Sequence, residues 1–378
     1  MSSETINWSV DVTTDQSHDI PVGELPGGTT VIAASLNSGR KLLSQTDTFV
    51  DNQSRFDRQA RLNLRHCVVD VTTEIYLDYV ESQVMAWEEP DEIESLRRIV
   101  GTDKQKETFE SIHTKFKRLA EVNLPDKIWL VKTTGLEEGY AAYTRGMNVI
   151  ALPANMVESL QVSPNLGDPL HPSNDLTYLQ DVITHECFHL FSKNNPDRRQ
   201  ELYALVNYKS TGHPVRLPDV KWPENDSPTS MRDLKITNPD TPTFAVYIEM
   251  DVPENATEPD AKKHLVKRPL LPILIAQGPY DGGIFFSVME MYFMAIEQDP
   301  AGIWEPAIGP DERPILYPMK RGTPLFKQYL DLIGHNLTGE LFHPDEILAQ
   351  NFVFVANLPD TQLLTRMGTV LGRNTAPA

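Results

Sequence analysis

The ten residues DVITHECFHL, Asp181 to Leu190, constrain this chain more than any other stretch. Two histidines stand four apart, and a glutamate directly follows the first. On an α-helix, positions i and i+4 project from one face about one turn apart, so His185 and His189 can each offer a ring nitrogen to one cation at roughly 2 Å. Glu186 is rotated by about 100° from His185 and lies beside such an ion, where a general base for a metal-bound water stands. From Val182 to Phe191 every residue outside the motif is uncharged and all but Thr184 are apolar, so the helix is expected to be buried nearly all round. Two imidazoles and a carboxylate in that setting need partners, and a divalent cation, Zn2+, satisfies all three together. A core histidine pair with Glu186 in a buried ion pair is the alternative.

The flanking pattern places the motif in a mixed α+β chain. SNDLTYLQDVITHECFHLFSKNNPD has Ser173 or Asn174 as N-cap and Asn-Asn-Pro as a stop, which predicts a helix over about 174–194. Before it the period is two: KIWLVKTT and YAAYTRGMNVIALP read as strands, the latter turning at Arg145 and Gly146 as a hairpin. Between Ser54 and Val122 apolar residues recur at three and four among charges, as in amphipathic helices. Residues 1 to about 50, with TTVIAAS, suggest an extended arm or small sheet. Downstream, FAVYIEMDV and RPLLPILIAQ are strand-like, whereas GGIFFSVMEMYFMAI fits strand or helix. PLFKQYLDLIG and HPDEILAQNFVFVANL are helical, and the Pro-rich span from Pro214 to Pro259 reads as an insertion, mostly loop apart from the strand-like piece ending at Val252. An N-terminal arm and helical region over 1–122 and a catalytic domain over 123–378 are expected.

Composition narrows the partners. With 53 acidic against 34 basic residues the net charge is −19, a field that repels phosphate backbones and anionic lipid, so neither nucleic acid nor membrane is expected. No signal peptide is visible in MSSETINWSVDV, and no apolar run reaches the ~18 residues of a membrane span. Cys67 and Cys187 are the only cysteines, which gives no disulfide framework; Cys187 is assigned to packing, and the cytoplasm is the default compartment.

Zinc takes a third protein ligand and keeps a fourth position open. Glutamates downstream are Glu201, Glu249, Glu290 and Glu346. Glu201 suits a first-turn charge and Glu249 a solvent-facing strand position. Glu290, within apolar SVMEMYF, is a second choice. Glu346 is preferred, because Pro344 fits a first helical turn and places it ahead of an apolar stripe through Leu348, Phe352 and Val355, on a helix of about 344–357.

ITHECFHL together with EILAQNF resembles the gluzincin metallopeptidases, the clan of thermolysin and lethal factor. HECFHLFSKNNP, AAYTRGMNVIALP and HPDEILAQNF look more closely like a bacterial family of zincin-like proteins. The likeness spans about Lys127 to Leu358. The metzincin continuation is absent, since Ser192 stands where it needs Gly and Asn195 where it needs His. The resemblance implies a zincin-like metallopeptidase fold in which the glutamate opening an E-x-x-A helix is the third ligand and Glu186 activates water. It further implies an edge strand near YAAYTRGMNVIALP that pairs with an extended substrate. Two features depart from the clan. No tyrosine lies between Asp331 and Asp345 to donate to an oxyanion, Gly339 and Glu340 occupying that region, which leaves His343, Tyr329, Tyr203 or Arg145 for the role. Gln350 stands where the clan has a carboxylate that accepts from a ligand histidine. The expected activity is therefore a zinc hydrolase on a peptide, or alternatively a zinc enzyme acting on a small or modified substrate; a zincin-fold binding protein is the third possibility. Substrate and oligomeric state are not legible.

Overall fold

The computed structural model describes residues 18–64, 71–87, 90–101, 110–158, 175–217, 234–241, 243–254, 265–276, 280, 285–334, 341–355 and 362–373. They form an α+β structure with two sheets.

The chain enters as a hairpin of β1 (Ile20–Leu25) and β2 (Thr29–Ala33). Gly27 and Gly28, with φ of 92° and 90°, supply the left-handed backbone that this turn requires. Short helices follow: α1 (Leu36–Leu43), α2 (Thr48–Asn52), α3 (Arg55–Arg61), α4 (Thr73–Ser82), α5 (Pro90–Val100) and α6 (Ile112–Phe116). Each of α1, α2, α3, α4 and α6 starts on a Ser, Thr or Asp whose side chain accepts a first-turn N–H, and α3 carries a full capping box between Ser54 and Asp57. Next come β3 (Lys127–Thr133), β4 (Tyr143–Arg145), β5 (Val149–Pro153) and α7 (Ala154–Glu158). The first sheet has the order β1-β2-β3-β5-β4, with β2–β3 and β3–β5 parallel. Every residue of β5 is buried, as expected for a strand covered on both faces.

The motif helix α8 (Asp175–Asn194) leads into α9 (Pro196–Leu205). The second sheet is antiparallel, ordered β11-β10-β9-β8-β6, and built from β6 (Tyr208–Ser210), β7 (Lys235–Ile236), β8 (Val246–Pro253), β9 (Leu265–Ala276), β10 (Met289–Gln298), β11 (Trp304–Pro306) and β12 (Leu316–Pro318). β7 pairs with β9 and β12 with β10. The chain closes with α10 (Pro324–Ile333), α11 (Pro344–Val355) and α12 (Gln362–Val370).

A single apolar cluster joins the layers: Val31, Leu130 and Ile150 of the first sheet, Ile183 and Phe188 of α8, Ile248 and Phe293 of the second sheet, and Leu348 and Phe352 of α11. Three segments read from sequence take the following form. Because β2 pairs with β3, residues on either side of position 122 share one sheet and one core. The ambiguous GGIFFSVMEMYFMAI becomes a 3-10 turn, Phe285–Val288, followed by β10, a strand paired on both sides and therefore buried at successive rather than alternate positions. The Pro-rich span contributes β7 and β8, and β8 lies between β6 and β9, so that part of it is integral to the sheet. Cys67 and residues 335–340 fall outside the described residues. Among the described residues no helix is long and apolar enough to cross a membrane.

Candidate metal centre

α8 spans the predicted segment and is buried along its motif half. Asn194 ends it by donating from Nδ2 to the Leu190 carbonyl and to Met147 in the β4–β5 hairpin, and Pro196 prevents its continuation. α11 packs against it through Phe352, whose ring lies 5.3 Å from both Phe188 and Phe116. That contact brings the first turn of α11 over the two histidines.

The rings of His185 and His189 are 4.8 Å apart. Their Nε2 atoms lie 3.4 and 3.3 Å from one and the same oxygen, Oε2 of Glu346. Two ligands each about 2.05 Å from an ion at the tetrahedral angle are about 3.3–3.4 Å apart, so each imidazole nitrogen stands from that oxygen at the edge length of a tetrahedral site. His189 Nε2 is buried without a hydrogen-bond partner, and so is Oε2 of Glu186. A divalent cation could be held by His185, His189 and Glu346, and it would supply what the orphaned nitrogen lacks.

The surroundings orient these ligands. Asp345 takes a hydrogen bond from His189 Nδ1 on Oδ2 at 2.7 Å, and its Oδ1 accepts from both the Tyr203 hydroxyl, at 2.7 Å, and the Ser192 hydroxyl. An imidazole that donates from Nδ1 presents its Nε2 lone pair, the tautomer a metal requires. Asn238 donates from Nδ2 to Glu346 Oε1 at 2.7 Å. The histidine acceptor expected at Gln350 is found instead at Asp345, the residue directly before Glu346 and on the same helical turn. Asp240 stands beside Glu186 and His189, with ligand atoms of the three within 4.8 Å of one another.

Charge is concentrated here. Burial first, and the Asp240 carboxylate next, push Glu186 up to about 8. Burial alone would raise Glu346, yet His189 and His185 hold it well below the usual carboxylate range. The same pairing, with Asp240 and Asp345, outweighs burial and raises His189. Burial lowers His343 to about 4, leaving it neutral. Burial pushes the Cys187 thiol up, as befits a packing residue that is no nucleophile.

The remaining glutamates are elsewhere. Glu201 pairs with Arg198 on the surface, Glu249 with Lys209 and Lys267, and Glu290 accepts from Tyr292 on β10. Of the residues proposed as oxyanion donors, Arg145 is buried against Asp47 at 2.7 Å, and Tyr329 is enclosed between Tyr208 and the Leu341 carbonyl. Tyr203 is committed to Asp345, which leaves His343, whose Nε2 has no partner. The edge strand β4 is also engaged. Thr144 donates its N–H to Asp240 Oδ1 at 2.7 Å, so the amide that would pair with an extended chain is already taken. Asp345, Ser192, Asn238 and Asp240 had no motif of their own; the only local signal was the acidic pair Asp345–Glu346 at a helix start.

No family model matches the chain, and neither a curated protein nor a solved structure matches it.

Proposed function

We propose that this chain is a zinc-dependent hydrolase of zincin-like fold. The observation that carries the proposal is the meeting of His185 Nε2 and His189 Nε2 on Oε2 of Glu346 at 3.4 and 3.3 Å, across about 160 residues of sequence, each at the edge length of a tetrahedral site. The orphaned Nε2 of His189 fits the same reading. Zinc in that position supplies a Lewis acid that polarises a carbonyl oxygen and brings the pKa of a water toward ~7.

The chain's own groups do the rest. Asp345 fixes the His189 tautomer, and Asn238 holds the outer oxygen of Glu346 so that Oε2 faces the imidazoles. Glu186, buried and with Oε2 uncommitted, takes a proton there and returns it to the leaving group. Between substrate classes, a small or modified amide is favoured over an extended peptide, because Asp240 occupies the Thr144 amide and no tyrosine donor faces the site among the described residues.

The test uses zinc-loaded protein against a quenched peptide library and a panel of small amides and esters. Turnover is expected on the small panel and falls ~10²–10⁴-fold in Glu186→Gln. Equal turnover in wild type and that variant rejects the hydrolase.

A further inference from the structure

A cavity of about 210 Å³ adjoins the metal centre, and Asp345 and Asp240 form part of its wall. Its anionic groups are all engaged. Asp47 pairs with Arg145, Asp345 accepts from His189, Ser192 and Tyr203, and Asp240 accepts both the N–H and the hydroxyl of Thr144. Lys193 is engaged too, donating to Thr144 Oγ1 and to the Pro239 carbonyl.

Among the cationic and imidazole groups of the wall, Arg199 and His343 remain. Arg199, on α9, lines the cavity half-buried, and among the described residues its guanidinium makes no hydrogen bond or ion pair. His343, only 7% exposed, lines the same cavity. Its Nδ1 accepts the Asp345 N–H at 3.2 Å, so the ring proton sits on Nε2, and that buried N–H has no partner. A buried donor without an acceptor is destabilising, a deficit that a ligand oxygen removes. A guanidinium and an imidazole N–H on a wall where Asp47, Asp240 and Asp345 each already accept hydrogen bonds from protein donors match an oxyanion.

We propose that this cavity is a binding site for a small oxyanion, a carboxylate or a phosphate, with Arg199 as counter-ion and His343 Nε2–H as second donor. The volume is below the ~300–1,000 Å³ of sites for drug-sized ligands, which restricts the occupant to a small molecule or to one end of a larger one. Through the shared Asp345, an occupant there borders the carboxylate that orients His189. Binding at this site does not require the hydrolase reading, since neither Arg199 nor His343 is among the residues that would hold the metal, although His343 is also the oxyanion-donor candidate left uncommitted there.

The test is calorimetric titration of metal-free full-length protein with inorganic phosphate and, separately, with succinate, at constant ionic strength set with chloride. Wild type binds at least one of them saturably at millimolar concentration, Arg199→Met weakens that binding about tenfold or more, and Arg199→Lys falls between. His343→Phe, read independently, weakens the same probe. A preference for succinate assigns a carboxylate ligand and a preference for phosphate a phosphate. No saturable binding of either probe, or equal binding in wild type and Arg199→Met, overturns the proposal. Because the titration is done without metal, a chain that fails to hold zinc still tests the site.

Discussion

Replacing Asp345 with asparagine isolates the contribution of one buried carboxylate to the metal centre. In the native site it accepts three hydrogen bonds, from His189 Nδ1, the Ser192 hydroxyl and the Tyr203 hydroxyl. Asparagine has nearly the same shape but one acceptor oxygen and two N–H donors. If the amide oxygen keeps Ser192 and Tyr203, the NH2 faces His189 Nδ1, the ring proton moves to Nε2, and the lone pair aimed past Glu346 is lost. If the oxygen keeps His189, both hydroxyls rotate to accept from the NH2, and only the charge is lost. Either way the imidazole becomes a poorer ligand, by ~10–100-fold in metal affinity, or about 1.4–2.7 kcal/mol. Alanine would be a worse probe, since it strips an acceptor from three buried donors at roughly 1–3 kcal/mol each and endangers the fold. The assay is zinc competition against a fluorescent chelator at neutral pH, with urea unfolding of the metal-free forms as control. Wild-type zinc affinity in a folded Asp345→Asn protein would refute the role given to this carboxylate.

Two further outcomes test the framework around the site. Arg61 is buried between Glu138 at 2.5 Å and Asp57 at 2.7 Å and donates to the Thr237 carbonyl, anchoring the loop that carries Asn238 and Asp240. Arg61→Ala leaves two buried carboxylates uncompensated and is expected to cost ~3–5 kcal/mol in urea unfolding, whereas a loss under ~1 kcal/mol would contradict this. The Arg145–Asp47 pair carries a pH signature. Burial would raise the Asp47 carboxyl, but Arg145 and the Val50 and Gly146 amides bring it below 3.8. With the folded value lower than the unfolded one, the pair's contribution is full above 3.8 and disappears as pH falls through the folded value. The stability gap between wild type and Asp47→Asn should therefore be constant at neutral pH and close below 3.8; a gap that persists in strong acid would contradict it.

The parts of this structure that were legible in sequence are those specified locally. α8 follows from its apolar positions and from Pro196, and the place of Glu346 from Pro344 at a helix start, so the three residues that the structure brings together were readable before the fold. The β4–β5 hairpin was readable from its period and Gly146. What escaped was long-range convergence. Parallel pairing of β2 with β3 leaves no turn signal in the chain, so the sheet that unites residues on either side of position 122 was hidden. Arg145 reads as a hairpin-turn residue and oxyanion-donor candidate, and nothing local signals its pairing with Asp47, 98 residues away. Asn238 and Asp240 sit in a polar loop whose composition predicts only a loop, and Asp345 was overshadowed by a spacing rule that pointed to Gln350.

The central claim is that two imidazoles on successive turns of α8 and the carboxylate of Glu346 grip one ion. Metal analysis of protein purified with ample zinc and then dialysed measures this directly. About one zinc per chain is expected in wild type, with loss in both His189→Ala and Glu346→Ala. Full zinc occupancy in folded Glu346→Ala, or none in wild type, would contradict it.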